Sequence, residues 1–393
     1  MPMPLDFLAA TITRWVGYFA LAALIGSLTV DLLVLPDDAP ELRSGRRRLQ
    51  RLRAACILVL SLASVAEVIL RGHTMTGAGF AAVLNAVPVI LRRTHFGQVW
   101  LVRFALLAGA LCSTFSLRRV ARAATLVAAG GVAFTTAVTG HAGDWGDVSL
   151  SAAIDWVHVV ASSSWVGGLF SLALVGRGGV VVTWPPTIFE TIARRFSRMA
   201  GWSLLAVVLS GSYNAWVQVR MPAGMWETAY GRLLFTKLVI VSVLIWLGAV
   251  SRYTIVARLG DGHAAGLVAR LFRLPWLALS GAREIAPALL PSRLLSYVSR
   301  EACLGIIVLA CTAILADSTP ARHAVHLKHH ATSAAPQITL EELPSQSRTP
   351  MAHTASHSCS PGGDSSQDAL GQLNANHSPS PPCVRGRGRQ RED

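Results

Sequence analysis

The residues best suited to chemistry lie in an apolar stretch near the middle of the chain. Asp155, His158, Ser162 and Trp165 follow one another at spacings of three, four and three, so they share one face of a helix. An ionisable residue in an apolar helix is costly to bury and marks a candidate functional site. Imidazole binds transition metals, and Asp155 is placed to orient the ring of His158. The competing interpretation is a hydrogen bond that joins two helices. Gly167 and Gly168 are expected to allow close helix approach.

Three other histidines border apolar runs. His73 is followed two residues later by Met75, and an imidazole with a thioether suits Cu(I). His95 precedes one apolar run, and His141 follows another. We predict that these residues join His158 as metal ligands. The alternative is that they are hydrated histidines at the level of the lipid headgroups.

Four more polar residues interrupt apolar runs at similar depth: Glu67, Arg103, Asn214 and Lys237. We expect them to meet inside a helical bundle, because an ionisable group that faces lipid costs several kcal/mol. A Glu67–Arg103 ion pair is the structural interpretation for those two residues. Asn214 and Lys237 are predicted to line a cavity or set its electric field. Asp31, near the inner end of the first apolar run, is a weaker candidate for an exit-side group.

The composition is that of an integral membrane protein. Hydrophobic residues make up 52% of the 393 residues and charged residues only 14%. The net charge of +14 comes from arginines scattered between apolar runs, so no nucleic-acid partner is expected. The fold class predicted is an all-α bundle of about eight transmembrane helices over residues 1–318. The predicted spans are 12–35, 54–70, 97–117, 120–140, 152–175, 199–219, 232–250 and 302–317.

The last part of the chain, 319–393, changes to Ser, Pro, Gly, Gln and His. Such a segment cannot bury enough apolar surface to fold alone, so we expect a disordered tail. Its first histidines, spaced loosely enough for a flexible metal-collecting arm, are His323, His326, His329 and His330. Simple solvated sequence is an equally good interpretation.

Arginine placement predicts the orientation, because cytoplasmic loops hold the excess of basic residues. Segment 36–53 carries six arginines, whereas segment 141–151 carries none. We therefore predict a multi-pass protein of the bacterial inner membrane with both termini and the tail in the periplasm. In this topology His73, His95, His141 and His158 all lie toward the outer side, and segment 251–300 is cytoplasmic, with helices in the interface plane.

The run DWVHVVASSSWVGGL from Asp155 resembles the copper resistance protein D family of bacterial inner-membrane proteins. Further matches in the same order are RWVGYFALAALIGSL, FGQVWLVRF, TGHAG, FSRMAGWSLLAVVLSGSYNAW, YGRLLFTKL and REACLGIIVLACTAILADSTPA. The resemblance implies a protein that brings copper across the inner membrane or accepts it from a periplasmic copper carrier. It covers most of residues 12–321. The candidates that fall in matched motifs are His141, His158, Trp165, Asn214 and Lys237, whereas His73, Met75 and His95 do not.

The function predicted is therefore copper transport or relay, with the outer histidines as the entrance. No enzymatic activity is expected, and the sequence has no P-loop, phosphorylation or CPC motif of a nucleotide-driven pump. One alternative is a haem-binding electron-transfer protein with His141 and His158 as axial ligands. Another is an assembly factor of the membrane with no ligand.

Overall fold

The computed structural model describes residues 5–77, 79–116, 118–177, 184–219, 223–254 and 290–318. These residues form helices and no strand. The metal-collecting tail predicted at His323, His326, His329 and His330 lies outside the described residues. The helices are α1 Leu5–Thr29, α2 Arg43–Thr76, α3 Phe80–Arg93, α4 His95–Thr114, α5 Arg119–Val138, α6 Leu150–Ser162, α7 Gly168–Gly176, α8 Pro186–Val219, α9 Ala223–Glu227, α10 Ala229–Thr254 and α11 Leu290–Asp317.

Within the described ranges, seven helical segments are long and apolar enough to cross a membrane. The one predicted span not among these seven, 199–219, is the second half of α8, which has 34 residues and is about 51 Å long. It is long enough to cross but falls short in hydropathy, because Ser210, Asn214 and Gln218 interrupt its apolar residues. The all-α membrane fold is thus as predicted, and the helix over 199–219 differs by being partly polar.

Two predicted loops contain helix. Residues 71–96, which lie between two predicted spans, hold α3 between α2 and α4. Of the segment predicted to be cytoplasmic, 251–300, residues 255–289 lie outside the described part of the chain. Its last residues belong to α11, which therefore begins at Leu290, earlier than the span predicted over 302–317.

Local caps fix where the helices that carry candidate residues begin and end. α2 ends at Gly77, which has a φ of 61°, a left-handed conformation that glycine adopts without strain. The hydroxyl of Thr94 accepts from the backbone N–H of Gly97 at 3.0 Å and starts α4. The hydroxyl of Ser149 accepts from the backbone N–H of Ala152 at 3.1 Å and starts α6. These caps set the positions of His73, His95 and Asp155.

α1 is the central helix of the bundle and packs against α2, α5, α7 and α11. Its closest crossing is with the π-helical turn Ser163–Gly167 that separates α6 from α7. A Cβ on Gly167 would lie 1.7 Å from the backbone oxygen of Ala22, and a Cβ on Gly26 would lie 2.0 Å from the backbone of Gly167. Only glycine fits at these two positions, so the prediction that small residues permit close helix approach is confirmed there.

One end of the bundle holds a cluster of ion pairs that we call the basic cluster, formed by Asp31 and Asp37 with Arg46, Arg53, Arg119 and Arg122. The side chain of Asp31 is 1% exposed and accepts from three guanidinium groups at 2.7, 2.8 and 2.9 Å. Asp31, considered above as an exit-side group, is thus the counter-ion that joins α2 and α5 to the end of α1.

Asp37 is the exposed carboxylate of the basic cluster. Burial alone would raise its pKa, but hydrogen bonding to Arg122 and the charges of Arg46, Arg122 and Arg119 outweigh this and hold the pKa of Asp37 below its usual value. The cluster therefore keeps Asp37 ionised at neutral pH.

Candidate functional site

A layer of four polar side chains lies between α6 and α8, and we call it the α6–α8 polar layer. Asn214 Nδ2 donates to Asp155 Oδ1 at 2.8 Å, and His158 Nδ1 lies 3.0 Å from Ser210 Oγ. Asp155 and His158 are three residues apart on α6, and Ser210 and Asn214 are four apart on α8. Each pair therefore meets across the same helix interface, one turn from the other.

The hydrogen bonds around His158 indicate which ring nitrogen holds the proton. Ser210 Oγ donates to the backbone oxygen of Ala206 at 2.5 Å, so it is an acceptor toward the imidazole. The backbone oxygen of Val207, in the same turn of α8, also interacts with the ring. We assign the proton to Nδ1, the nitrogen that faces Ser210, which leaves Nε2 with a free lone pair. A neutral imidazole in this tautomer can bind a metal ion.

α10 adds a positive charge beside this layer. Lys237 interacts electrostatically with Asp155 and with His158, and it also lies near Cys311 of α11. A carboxylate, an imidazole and an ammonium group therefore come together where α6, α8, α10 and α11 lie near one another. The prediction that Asn214 and Lys237 line a cavity or set its electric field stays a prediction.

Two details of the α6 stripe differ from the prediction. Asp155 bonds to Asn214 and not to the imidazole that it was expected to orient. Trp165 does not continue the stripe: it is 6% exposed and packs in the apolar core with Leu169 and Val175. The physical reason is the π-helical turn at Ser163–Gly167, which inserts an extra residue and rotates later side chains away from the α-helical face. Ser162 donates to its own helix, at the oxygen of Val159.

Glu67 and Arg103 belong to a second cluster. Arg14 Nη2 lies 3.4 Å from Glu67, Arg14 Nη1 lies 2.8 Å from Asp317, and Arg103 Nη1 lies 3.8 Å from Glu67. Arg103 also donates to Thr135 Oγ1 at 2.8 Å. These groups pair with one another and not with Asn214 or Lys237, because residues at equal depth can lie on different sides of a bundle. The predicted Glu67–Arg103 ion pair is confirmed.

A small cavity adjoins this second cluster, lined by Arg14, Tyr18, Glu67, Arg103 and Thr136 among others. It has about 40 Å³ of room, enough for roughly one to three water molecules. The cavity is thus sized for hydration of the ion pairs and is unsuited to a larger ligand.

The comparisons with known proteins identify the family of the chain. The family model described as copper resistance protein D-like, N-terminal domain, matches residues 4–150, and the model described as copper resistance protein D matches residues 190–315. A protein named "Copper resistance protein D" from Pseudomonas syringae pv. tomato is 30% identical over 257 residues, which span 63% of this chain and 82% of that protein. The chain belongs to the copper resistance protein D family.

Two further relatives in the comparisons are more distant. "Copper transport protein CutJ" of Bacillus subtilis (strain 168) is 26% identical over 60% of this chain and 45% of its own length. "Inner membrane protein YebZ" of Escherichia coli (strain K12) is 23% identical over 67% of this chain and 90% of its own length. No solved structure is a significant match.

The two copper resistance protein D matches cover Ser210, Asn214 and Lys237 but leave 151–189 between them, where Asp155 and His158 lie. The family models therefore cover the residues that α8 and α10 contribute to the site. On the α6 side, the assignment of His158 depends on its contacts with α8.

The predicted outer histidines are not gathered into one ligand set. Within the described ranges, no three His, Cys, Asp or Glu side chains are close enough to hold a metal ion. His95 Nε2 lies 2.5 Å from Asp147 on the exposed surface. His73 and His141 are half-buried at the ends of α2 and α5, and the side chain of Met75 is outside the described part. Ligation by these residues stays a prediction.

Three residues important to the geometry were missed. Arg14 and Asp317 lie far apart in the sequence and form one ion pair. A charge within an apolar run was the available signal for Arg14. Serine is common in membrane helices, so nothing in the sequence distinguished Ser210 from the other serines of α8.

Proposed function

We propose that this chain moves copper ions through the bacterial inner membrane, with the α6–α8 polar layer as the point where the ion passes. The observation that carries the proposal is the pairing of His158 with Ser210 beside Asp155 with Asn214 between two helices of the bundle. This layer supplies one imidazole nitrogen and one carboxylate oxygen, donors that bind copper ions.

The donor set suits a passing ion and not a resident one. A structural metal site in a protein commonly has four protein ligands. Here the described residues offer two strong donors, with no third His, Cys, Asp or Glu close by. A path must bind its ion well enough to admit it and weakly enough to release it. Two donors in a partly polar layer fit that requirement.

Lys237 gives the layer a way to release its cargo. Its ammonium group interacts with the same carboxylate that would hold the copper cation. In the empty state the lysine balances the charge of Asp155, and in the loaded state the two cations repel. Lys237 thus prevents the layer from becoming a high-affinity trap.

The relatives support the choice of cargo. Two of them have names that refer to copper resistance or copper transport, and one is named an inner membrane protein. We assign the end of the bundle opposite the basic cluster to the periplasm, following the arginine asymmetry. A periplasmic protein that carries copper is the expected donor at that face.

The experiment is copper uptake by vesicles that contain the purified, reconstituted full-length chain. His158→Ala should reduce the initial uptake rate by about 10-fold or more, since loss even of an outer partner of a metal ligand costs roughly 10–100-fold in affinity. Ser162→Ala is the matched control, because Ser162 is on the same helix and bonds only within it among the described contacts. It should transport at the wild-type rate.

Equal uptake by His158→Ala and wild type, at equal protein content, would refute the assignment of the polar layer. The colour of the purified protein tests the haem alternative independently. A Soret band that disappears in His158→Ala would favour haem ligation, whereas a colourless protein that takes up copper supports the proposal.

The topology has its own test. In a background without other cysteines, a cysteine introduced at His95 should react with a membrane-impermeant reagent added outside the cell. A cysteine introduced at Arg119, an exposed residue of the basic cluster, should react only after the membrane is opened. The reverse labelling pattern would show that the proposed orientation of the protein in the membrane is wrong.

A further inference from the structure

Glu301 of α11 is a buried carboxylic acid that the proposed copper layer does not use. It is 4% exposed, and its Oε1 atom has no hydrogen-bond partner in the described structure. Its other oxygen faces Gly248 of α10: a Cβ built on Gly248 would lie 3.8 Å from Oε2. The residue lies within the candidate membrane span Arg293–Asp317. Such a group is costly unless it is neutral or meets a cation.

Glu301 lies on the same helix seam as the copper layer. α10 and α11 run antiparallel, with Lys237 near Cys311 and Gly248 next to Glu301. The two contacts are separated by eleven residues on α10 and by ten on α11. This near-equal spacing indicates that the two helices stay in register between the contacts. Glu301 is therefore about 15 Å along the seam from the layer, on the side away from Asp317 and toward the basic cluster.

The surroundings of Glu301 contain no counter-charge among the described residues. α7 and the π-helical turn, which pack on α11, have no ionisable residue in their sequences. On α11 itself, Arg300 is exposed and lies over the ring of Tyr297 at 6.0 Å. Arg14 of α1 and Asp31, which follows α1, are held in the ion pairs described above, and Asp6 lies in the first turn of α1. On α10, Lys237 is about three turns away, and the side chain of Arg252, one turn beyond Gly248, lies outside the described part.

We propose that Glu301 is a proton-exchange site on the copper path, so that each copper ion that passes displaces one proton. The inference rests on the proposed copper function. With the path empty, Glu301 is a neutral carboxylic acid. When a Cu(I) ion arrives along the α10–α11 seam, the O–H bond breaks, the carboxylate binds the cation, and one proton leaves to water. When the ion moves on, the carboxylate takes up a proton again, so charge is conserved and no electron is transferred.

Infrared difference spectroscopy on the purified full-length chain tests the first half of the proposal. At neutral pH the wild type should show the carbonyl band of a protonated carboxylic acid, and Cu(I) should abolish it. Glu301→Gln should lack the band. Glu41→Gln, at an exposed position, should retain it. A wild-type spectrum without the band, or a band that survives in Glu301→Gln, would overturn the assignment without touching the role of His158.

Proton flux tests the coupling. Vesicles that contain the full-length chain and an entrapped pH indicator should show proton movement opposite to copper movement, at about one proton per ion. In Glu301→Gln the proton signal per copper ion transported should fall at least 10-fold. Copper uptake by wild type with no proton movement would refute the exchange and leave the proposed function intact. Absence of copper uptake by wild type would refute both, and the infrared band would then report a proton site unrelated to copper.

Discussion

Replacement of Asp31 by Asn should destabilise the protein far more than the same replacement at Asp37. Both carboxylates lie in the basic cluster and each contacts three arginines. They differ in exposure: the side chain of Asp31 is 1% exposed and that of Asp37 is 41% exposed. The comparison therefore isolates burial while chemistry and partners stay nearly constant.

The expected size follows from the contacts. Asp31 Oδ1 accepts from Arg46 and Arg122, and Oδ2 accepts from Arg53. An asparagine keeps one acceptor and turns the other position into an N–H that faces a guanidinium donor. Breaking a buried ion pair costs about 3–5 kcal/mol, whereas an exposed pair contributes about 1 kcal/mol or less.

The assay is thermal unfolding of the purified variants in one detergent, followed by intrinsic fluorescence. At about 2 °C per kcal/mol, Asp31→Asn should lower the midpoint by at least about 6 °C, and Asp37→Asn by about 2 °C or less. Equal midpoints for the two variants would show that burial does not govern the strength of this cluster, and the reasoning would fail.

Other expected outcomes follow from the helix crossings and from Asp37. Gly167→Ala should prevent normal folding, measured as loss of the monodisperse peak in detergent, whereas Gly109→Ala, which meets open space, should not. Gly211→Ala should weaken copper binding about 10-fold with the fold intact, because its Cβ would lie 3.0 Å from the His158 ring; unchanged affinity in a metal titration would count against the site. Since the pKa of Asp37 is lowered in the folded state, its stabilising effect is present above the unfolded-state pKa and is lost as the pH falls through the folded-state value. Asp37→Asn should therefore lose less thermal stability than wild type on acidification, and identical pH profiles would contradict this.

Much of the α6 side of the site could be predicted from spacing alone. The helical period placed Asp155 and His158 on one face, and the cost of burying them indicated that they face protein. The partner residues could not be obtained in the same way, because a period along one helix does not say which residue of another helix lies opposite. Ser210 and the Asp155–Asn214 bond therefore emerged only from the structure.

Two errors of prediction have specific causes. Trp165 was placed with His158 because the helix was assumed to be uniform, and the π-helical turn breaks that assumption. Glu67 and Arg103 were expected to meet Asn214 and Lys237 because all four share a depth. Depth fixes the position of a residue along the bundle axis but leaves its angular position open. Glu301 shows another limit: it lay one residue outside the span predicted over 302–317, and only the longer helix α11 includes it.

The polar second half of α8 has a consequence for how the protein is made. A helix with Ser210 and Asn214 on one side is a poor substrate for insertion by itself, since the side-chain amide of Asn214 gains its bond to Asp155 only when α6 is beside it. α6 precedes α8 in the chain, so it is in the membrane first and can receive it. The α6–α8 polar layer then forms while α8 inserts into the membrane. A substitution such as Asp155→Ala should therefore reduce the amount of mature protein in the membrane as well as its activity.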